Sequence, residues 1–141
     1  NLIKEQIKVA AGVPLSLKQS DIHFNGHAIE CRINAENAKT FVPSPGTVDL
    51  FHAPGGPGVR LDSHLYNGYR VPPYYDSLIG KLITWGQDRN TALIKMDIAL
   101  NEMVIDGINT NLALHQRLVN DDGFVDGQQN IHYLERMLNR D

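Results

Sequence analysis

Residues 78–85, Leu-Ile-Gly-Lys-Leu-Ile-Thr-Trp, form a proline-free apolar run rich in β-formers, set between Pro72-Pro73 and Gly86. Consecutive prolines cannot lie in a central strand, because each removes a ladder donor, so the run reads as a well-buried strand that begins after them and ends at Gly86. Two upstream segments alternate with period two. From 28 to 35, Ile29, Cys31 and Ile33 fall on one face and Glu30, Arg32 and Asn34 on the other, the pattern of a half-buried strand. Pro43-Ser44-Pro45-Gly46 forces a turn, and 47–51 alternates again with Val48 and Leu50 inward, which predicts a second, antiparallel strand. Pro54-Gly55-Gly56-Pro57-Gly58 then leads into a short segment, 59–62, suited to presenting Arg60 at a strand edge.

Helical periods dominate elsewhere. Leu2, Ile3, Ile7, Ala10 and Ala11 predict a helix that starts at the first residue and stops at Gly12, which suggests a boundary inside a longer protein. Asp88 is a fitting N-cap for a helix lined by Ala92, Met96, Ala99, Leu100 and Met103 and ended by Asp106-Gly107. Thr110 is placed to cap a short helix bearing Leu114 and Leu118, and Asn130 a last one carrying Ile131, Leu134 and Leu138 inward. Strands first and helices afterwards predict an α+β fold, with a small, mostly antiparallel β-sheet and helices packed in the C-terminal half.

At 141 residues and 42% hydrophobic content the chain has the size and apolar content of one domain with a real core. Its net charge of −3, with Lys and Arg scattered, offers no basic stripe for nucleic acid and no polybasic membrane anchor. No apolar run reaches the roughly 20 residues needed to cross a bilayer. A single cysteine, Cys31, excludes an internal disulfide and fits a reducing compartment, so cytoplasm is the expected location.

Few residues invite chemistry. The glycine-rich run lacks the Gly-Lys-Ser/Thr ending of a phosphate loop and reads as a turn. His23 and His27 have no cysteine or carboxylate at ligand spacing, so no metal site is expected. Asp62, Ser63 and His64 are neighbours in an extended segment, where alternate side chains point to opposite faces and cannot form a triad. Tyr74 and Tyr75, beside Pro72-Pro73, are expected to close over the core, while Trp85 suits either the core or an association surface. Arg60 stands out. A guanidinium held on a short strand after a rigid connection suits an anion or a developing oxyanion, although spacing alone favours a surface salt bridge.

His27-Ala28-Ile29-Glu30-Cys31-Arg32-Ile33-Asn34-Ala35-Glu36 resembles the strand that opens the C-terminal domain of biotin carboxylases. Phe41-Val42-Pro43-Ser44-Pro45-Gly46, Gly58-Val59-Arg60, Val71-Pro72-Pro73-Tyr74-Tyr75-Asp76-Ser77, Ile79-Gly80-Lys81-Leu82, Ile105-Asp106-Gly107-Ile108 and Asn130-Ile131-His132-Tyr133-Leu134 follow in that family's order, across essentially the whole chain. The resemblance implies residues 1–14 as a helix trailing from an absent ATP-grasp region and 15–141 as the C-terminal domain. It implies a part in the carboxylation of biotin by bicarbonate at the expense of ATP, within acetyl-CoA carboxylase and the first step of fatty acid synthesis. The same domain of a pyruvate, propionyl-CoA or methylcrotonyl-CoA carboxylase, or a chiefly structural and dimerising module, is the alternative.

ATP, biotin and Mg are the cofactors so implied for the complete enzyme, with none expected to be held tightly by this chain alone, which is expected to be inactive by itself. The implied partners are the ATP-grasp domains of the same chain, the biotin carboxyl carrier protein, carboxyltransferase and a second copy of the complete enzyme. On the resemblance, Arg60 is the arginine that holds bicarbonate and stabilises the biotin oxyanion. Ile131 and His132 match the segment beside the adenine of ATP, and the region from Trp85 to Arg89 matches a contact between the two copies.

Overall fold

The computed structural model describes residues 1–139. Its centre is a three-stranded antiparallel sheet in the order β1-β6-β4, formed by β1 (His27–Asn34), β6 (Leu78–Gly86) and β4 (Val59–Ser63). The proline-free run is therefore the central strand. Alternation decides which residues face inward: Ile29 pairs with Thr84, which pairs with Val59, and Cys31 pairs with Leu82, which pairs with Leu61. These residues share one face, and α2 (Arg89–Glu102) covers it with Ala92, Leu93, Met96, Ala99 and Leu100. Thr84, the buried polar group of that face, donates its hydroxyl to the carbonyl of Ala92 at 2.9 Å and so avoids an unpaired burial cost. Gly86 joins strand to helix where a Cβ would lie 2.7 Å from the Ala92 nitrogen, so the turn admits no side chain there.

Asp88 caps α2 as expected, accepting from the Thr91 amide at 2.7 Å. The helix ends at Glu102, earlier than Asp106-Gly107, because β7 (Val104–Asp106) intervenes and pairs with β3 (Leu50–His52). The expected single strand over 47–51 is likewise two pieces. β2 (Gly46–Thr47) pairs with β5 (Arg70–Val71), and the chain changes partner between Val48, bonded to the Tyr69 carbonyl, and Asp49, bonded to that of Asp106. That corner breaks the alternation, so Val48 is buried while Leu50 faces out and Phe51 packs against the core. Gly107 makes the corner possible: its φ is +95°, and a Cβ would meet the Thr47 carbonyl at 2.3 Å.

The remaining helices are α1 (Leu2–Ala10), α3 (Leu112–Val119), α4 (Asp122–Val125) and α5 (Tyr133–Leu138), with a 3-10 turn over Gln19–Asp21. Asn1 caps α1, yet none of its residues is buried, and its apolar Leu2, Ile3 and Ile7 are exposed. Asn111, not Thr110, stands at the N-cap of α3. For α5 that place is taken by His132, with Tyr133 and Met137 buried against Leu114 and Ile131 turned outward instead of inward. Tyr74 and Tyr75 are also exposed, so they do not close over the core. The burial of strand faces against one helix and the flanking small antiparallel ladders make this an α+β fold.

Candidate functional site

The face of the central sheet turned away from α2 carries polar rows. Glu30, Ile83 and Arg60 form one row across β1, β6 and β4, and Arg32, Lys81 and Asp62 form the next. Arg60 is well exposed and lies on the β4 edge, as its loop predicts. Both arms of its fork go to Asp62, two residues on: Nε donates to Oδ1 at 2.9 Å and a terminal nitrogen to Oδ2 at 2.8 Å. Hydrogen bonding to Arg60, with Lys81 adding attraction, holds the Asp62 carboxyl below its ordinary range, and the same pairing raises Arg60. At 71% and 47% side-chain exposure this pair adds little stability, but it commits the fork.

Arg32 presents the other guanidinium of the face, and that side chain makes no hydrogen bond or ion pair with any described residue. Its backbone, by contrast, is tightly held. The Asn111 side chain donates to the Arg32 carbonyl at 3.0 Å and accepts the Asn34 amide at 2.8 Å, and His115 Nε2 lies 2.9 Å from the same carbonyl. Burial lowers the His115 pKa, opposed by its bond to Arg32 and by the Glu36 carboxylate, so the ring is kept neutral near pH 7. Cys31, beside Arg32 but on the inner face, is pushed up to about 12 by burial, with the Glu30 carboxylate adding to the shift, and packs as an uncharged thiol.

Ile131 is 92% exposed and precedes α5. That removes the alternative in which Ile131 fills the core and leaves an apolar side chain free to line a cleft. His132 donates its amide to Asn130 Oδ1 at 3.1 Å, and its ring lies 3.7 Å from the Glu135 carboxylate. Tyr133 anchors the segment by burial and by a hydrogen bond from its hydroxyl to Asp121.

Helix α3 links these parts, since Asn111 and His115 reach β1 while Leu114 packs on Tyr133 and Met137. The structure therefore joins the Ile131–His132 segment through α3 to Arg32. Arg60 stands two strands away across the sheet, with no hydrogen bond or ion pair to either residue. Arg32 was visible in sequence only as the polar side of an alternating strand, a pattern shared with any solvated face.

Asp62 and Ser63 have other partners than His64: the Ser63 hydroxyl donates to the Ile79 carbonyl at 2.7 Å, and Asp62 is occupied by Arg60. Among the described residues no three His, Cys, Asp or Glu side chains converge on a point, and no helix is long and apolar enough to cross a membrane. Trp85 is 42% exposed and donates its indole N–H to the Asn25 carbonyl at 3.0 Å, which leaves part of the ring at the surface.

The chain and its fold match those of known proteins. The family model of the biotin carboxylase C-terminal domain matches residues 30–136. The chain is 58% identical to the biotin carboxylase of Pseudomonas aeruginosa over 141 residues, covering all of this chain and 31% of that protein. It is 46% identical to a pyruvate carboxylase subunit of Methanothermobacter thermautotrophicus over 136 residues, covering 96% of this chain and 28% of that protein. Among solved structures it superimposes with a TM-score of 0.91, at 44% identity over 96% of this chain and 30% of that one, on the biotin carboxylase domain dimer of the Hydrogenobacter thermophilus 2-oxoglutarate carboxylase, in complex with MgADP, ADP and bicarbonate. The chain thus spans about a third of the length of these relatives, and it belongs to the biotin carboxylase family, as that family's C-terminal domain.

Proposed function

We propose that this chain is the C-terminal part of an enzyme that uses ATP and bicarbonate to carboxylate biotin, releasing ADP and phosphate, and that it contributes one anion-holding arginine and one wall of the nucleotide site. The observation that carries the reading is the pairing, through α3, of an unoccupied guanidinium at Arg32 with an exposed apolar residue at Ile131. A guanidinium stays charged at working pH and offers forked donors, so it binds bicarbonate and stabilises negative charge that develops on the ureido oxygen of biotin. Ile131 offers an apolar surface to a purine, with His132 beside it. The remaining contacts to nucleotide and biotin, and the carboxylates that hold Mg, are assigned to the rest of the enzyme.

Arg60 is the second reading for the anion. It is exposed and on the same face, and it fills that role if substrate displaces Asp62. Its committed ion pair favours a different place, on the surface where β4 and the end of β6 meet. There Arg60 faces Ile83, two residues before the half-exposed Trp85. We assign that surface to the contact between two copies of the complete enzyme. The exposed apolar residues of α1, and Phe24 at 99% exposure, fit the preceding ATP-grasp region as their cover. Acetyl-CoA carboxylase, acting with a biotin carboxyl carrier protein and carboxyltransferase in the cytoplasm, is the proposed setting.

The complete protein is expected to release ADP only when bicarbonate and biotin are both present, whereas residues 1–141 alone release none. Release by the complete protein without either substrate would overturn the assignment.

A further inference from the structure

We infer that Asn111 is a positioning residue for Arg32, its side chain standing in for a missing strand at the edge of β1. The inference rests on the reading of Arg32 given above. β6 occupies one side of β1, and among the described residues no strand occupies the other. An open edge leaves backbone donors and acceptors unpaired and the strand free to shift. Asn111 closes it. Its Oδ1 accepts the Asn34 amide at 2.8 Å, its Nδ2 donates to the Arg32 carbonyl at 3.0 Å, and its own amide donates to the Asn34 carbonyl at 3.2 Å. One residue thereby grips the chain on both sides of Ile33.

Two further observations set this apart from an ordinary surface contact. Asn111 is only 5% exposed and its bonds to β1 are part-buried, so their loss leaves the Asn111 side chain without partners away from solvent. It also occupies the N-cap of α3 without making a side-chain cap bond, although asparagine is among the best caps. The side chain that would serve its own helix serves β1 instead. His115, one turn along α3, adds a contact to the same Arg32 carbonyl at 2.9 Å and lies 3.2 Å from Asn111 Nδ2. The carbonyl of Arg32 is thus held from the side opposite the sheet, which fixes the direction in which its side chain leaves the strand. A catalytic cation gains from such preorganisation, since displacement of about 1 Å can cost about 10²-fold in rate.

Asn111→Asp in the complete enzyme tests this, because it keeps the shape and the acceptor for Asn34 but turns an oxygen toward the Arg32 carbonyl. The expected result is a loss on the order of tenfold in bicarbonate-dependent kcat/KM, with the KM for ATP within about twofold of the parent. His115→Leu should lower the same quantity by about threefold, and His115→Gln, which retains a donor, should restore it. If Asn111→Asp does not fold, the His115 pair carries the test. Equal losses for ATP and bicarbonate, or no loss in either variant while Arg32→Ala is inactive, overturn the positioning role alone. Full activity of Arg32→Ala removes the reading beneath it as well.

Discussion

Replacing Arg32 by alanine in the complete carboxylase is expected to lower carboxybiotin formation by about 10²- to 10³-fold, with the KM for ATP changed by less than about threefold. The magnitude is that of removing one donor from a preorganised oxyanion site, about 3 kcal/mol. Arg60→Ala is the matched control, since both arginines are exposed on the same sheet face and differ chiefly in their partners. Asp62 already takes both arms of Arg60, whereas the Arg32 guanidinium has no partner among the described residues. Arg60→Ala is therefore expected to retain turnover within about fivefold while weakening association of the two copies, since a rim ion pair contributes little to chemistry. Steady-state rates and sedimentation on both variants separate the roles. A collapse of turnover in Arg60→Ala with a normal Arg32→Ala would return the anion to Arg60.

Leu82→Ala is expected to destabilise the folded chain by about 3 kcal/mol, within the roughly 2–5 kcal/mol typical of a fully buried leucine, and to lower Tm by roughly 10 °C. Leu82 has 0% exposure and sits on the central strand between Cys31 and Leu61, beneath α2. Both neighbouring strands and the covering helix meet there, so the site cannot collapse by moving a single element. Thermal unfolding followed by circular dichroism measures the change. A loss below about 1 kcal/mol would mean that the sheet and α2 do not form one cooperative core.

What could be read from the sequence follows from the range over which each element is determined. β1, β6 and α2 were legible because a local period and a local stop signal define each: alternation in 28–35, a proline-free run before Gly86, and Asp88 opening a helix at apolar spacing. The short strands were not. β7 exists because β3 pairs with it, and the alternation expected through Leu50 fails where the chain changes partner between Val48 and Asp49. Ile131 fitted an inward helical position by spacing, yet α5 begins two residues later, and its buried residues are Tyr133 and Met137.

The site was half legible for the same reason. Arg60 is conspicuous after a Pro/Gly connection, but its partner Asp62 lies on the same strand face, where period two brings i and i+2 together. Arg32 looks like one polar residue of an ordinary amphipathic strand. What distinguishes it is the Asn111 bond, which spans 77 positions between Asn34 and Asn111 and leaves no periodic trace.

On the proposed function, these residues complete a site for carboxylating biotin. Transfer of label from ¹⁴C-bicarbonate to free biotin, in the presence of MgATP, tests it most directly when the complete protein and residues 1–141 are assayed together. Labelled biotin and a matching amount of ADP are expected from the complete protein, and none from residues 1–141. Labelled biotin formed by residues 1–141 alone, or ADP released by the complete protein with no label on biotin, would contradict it.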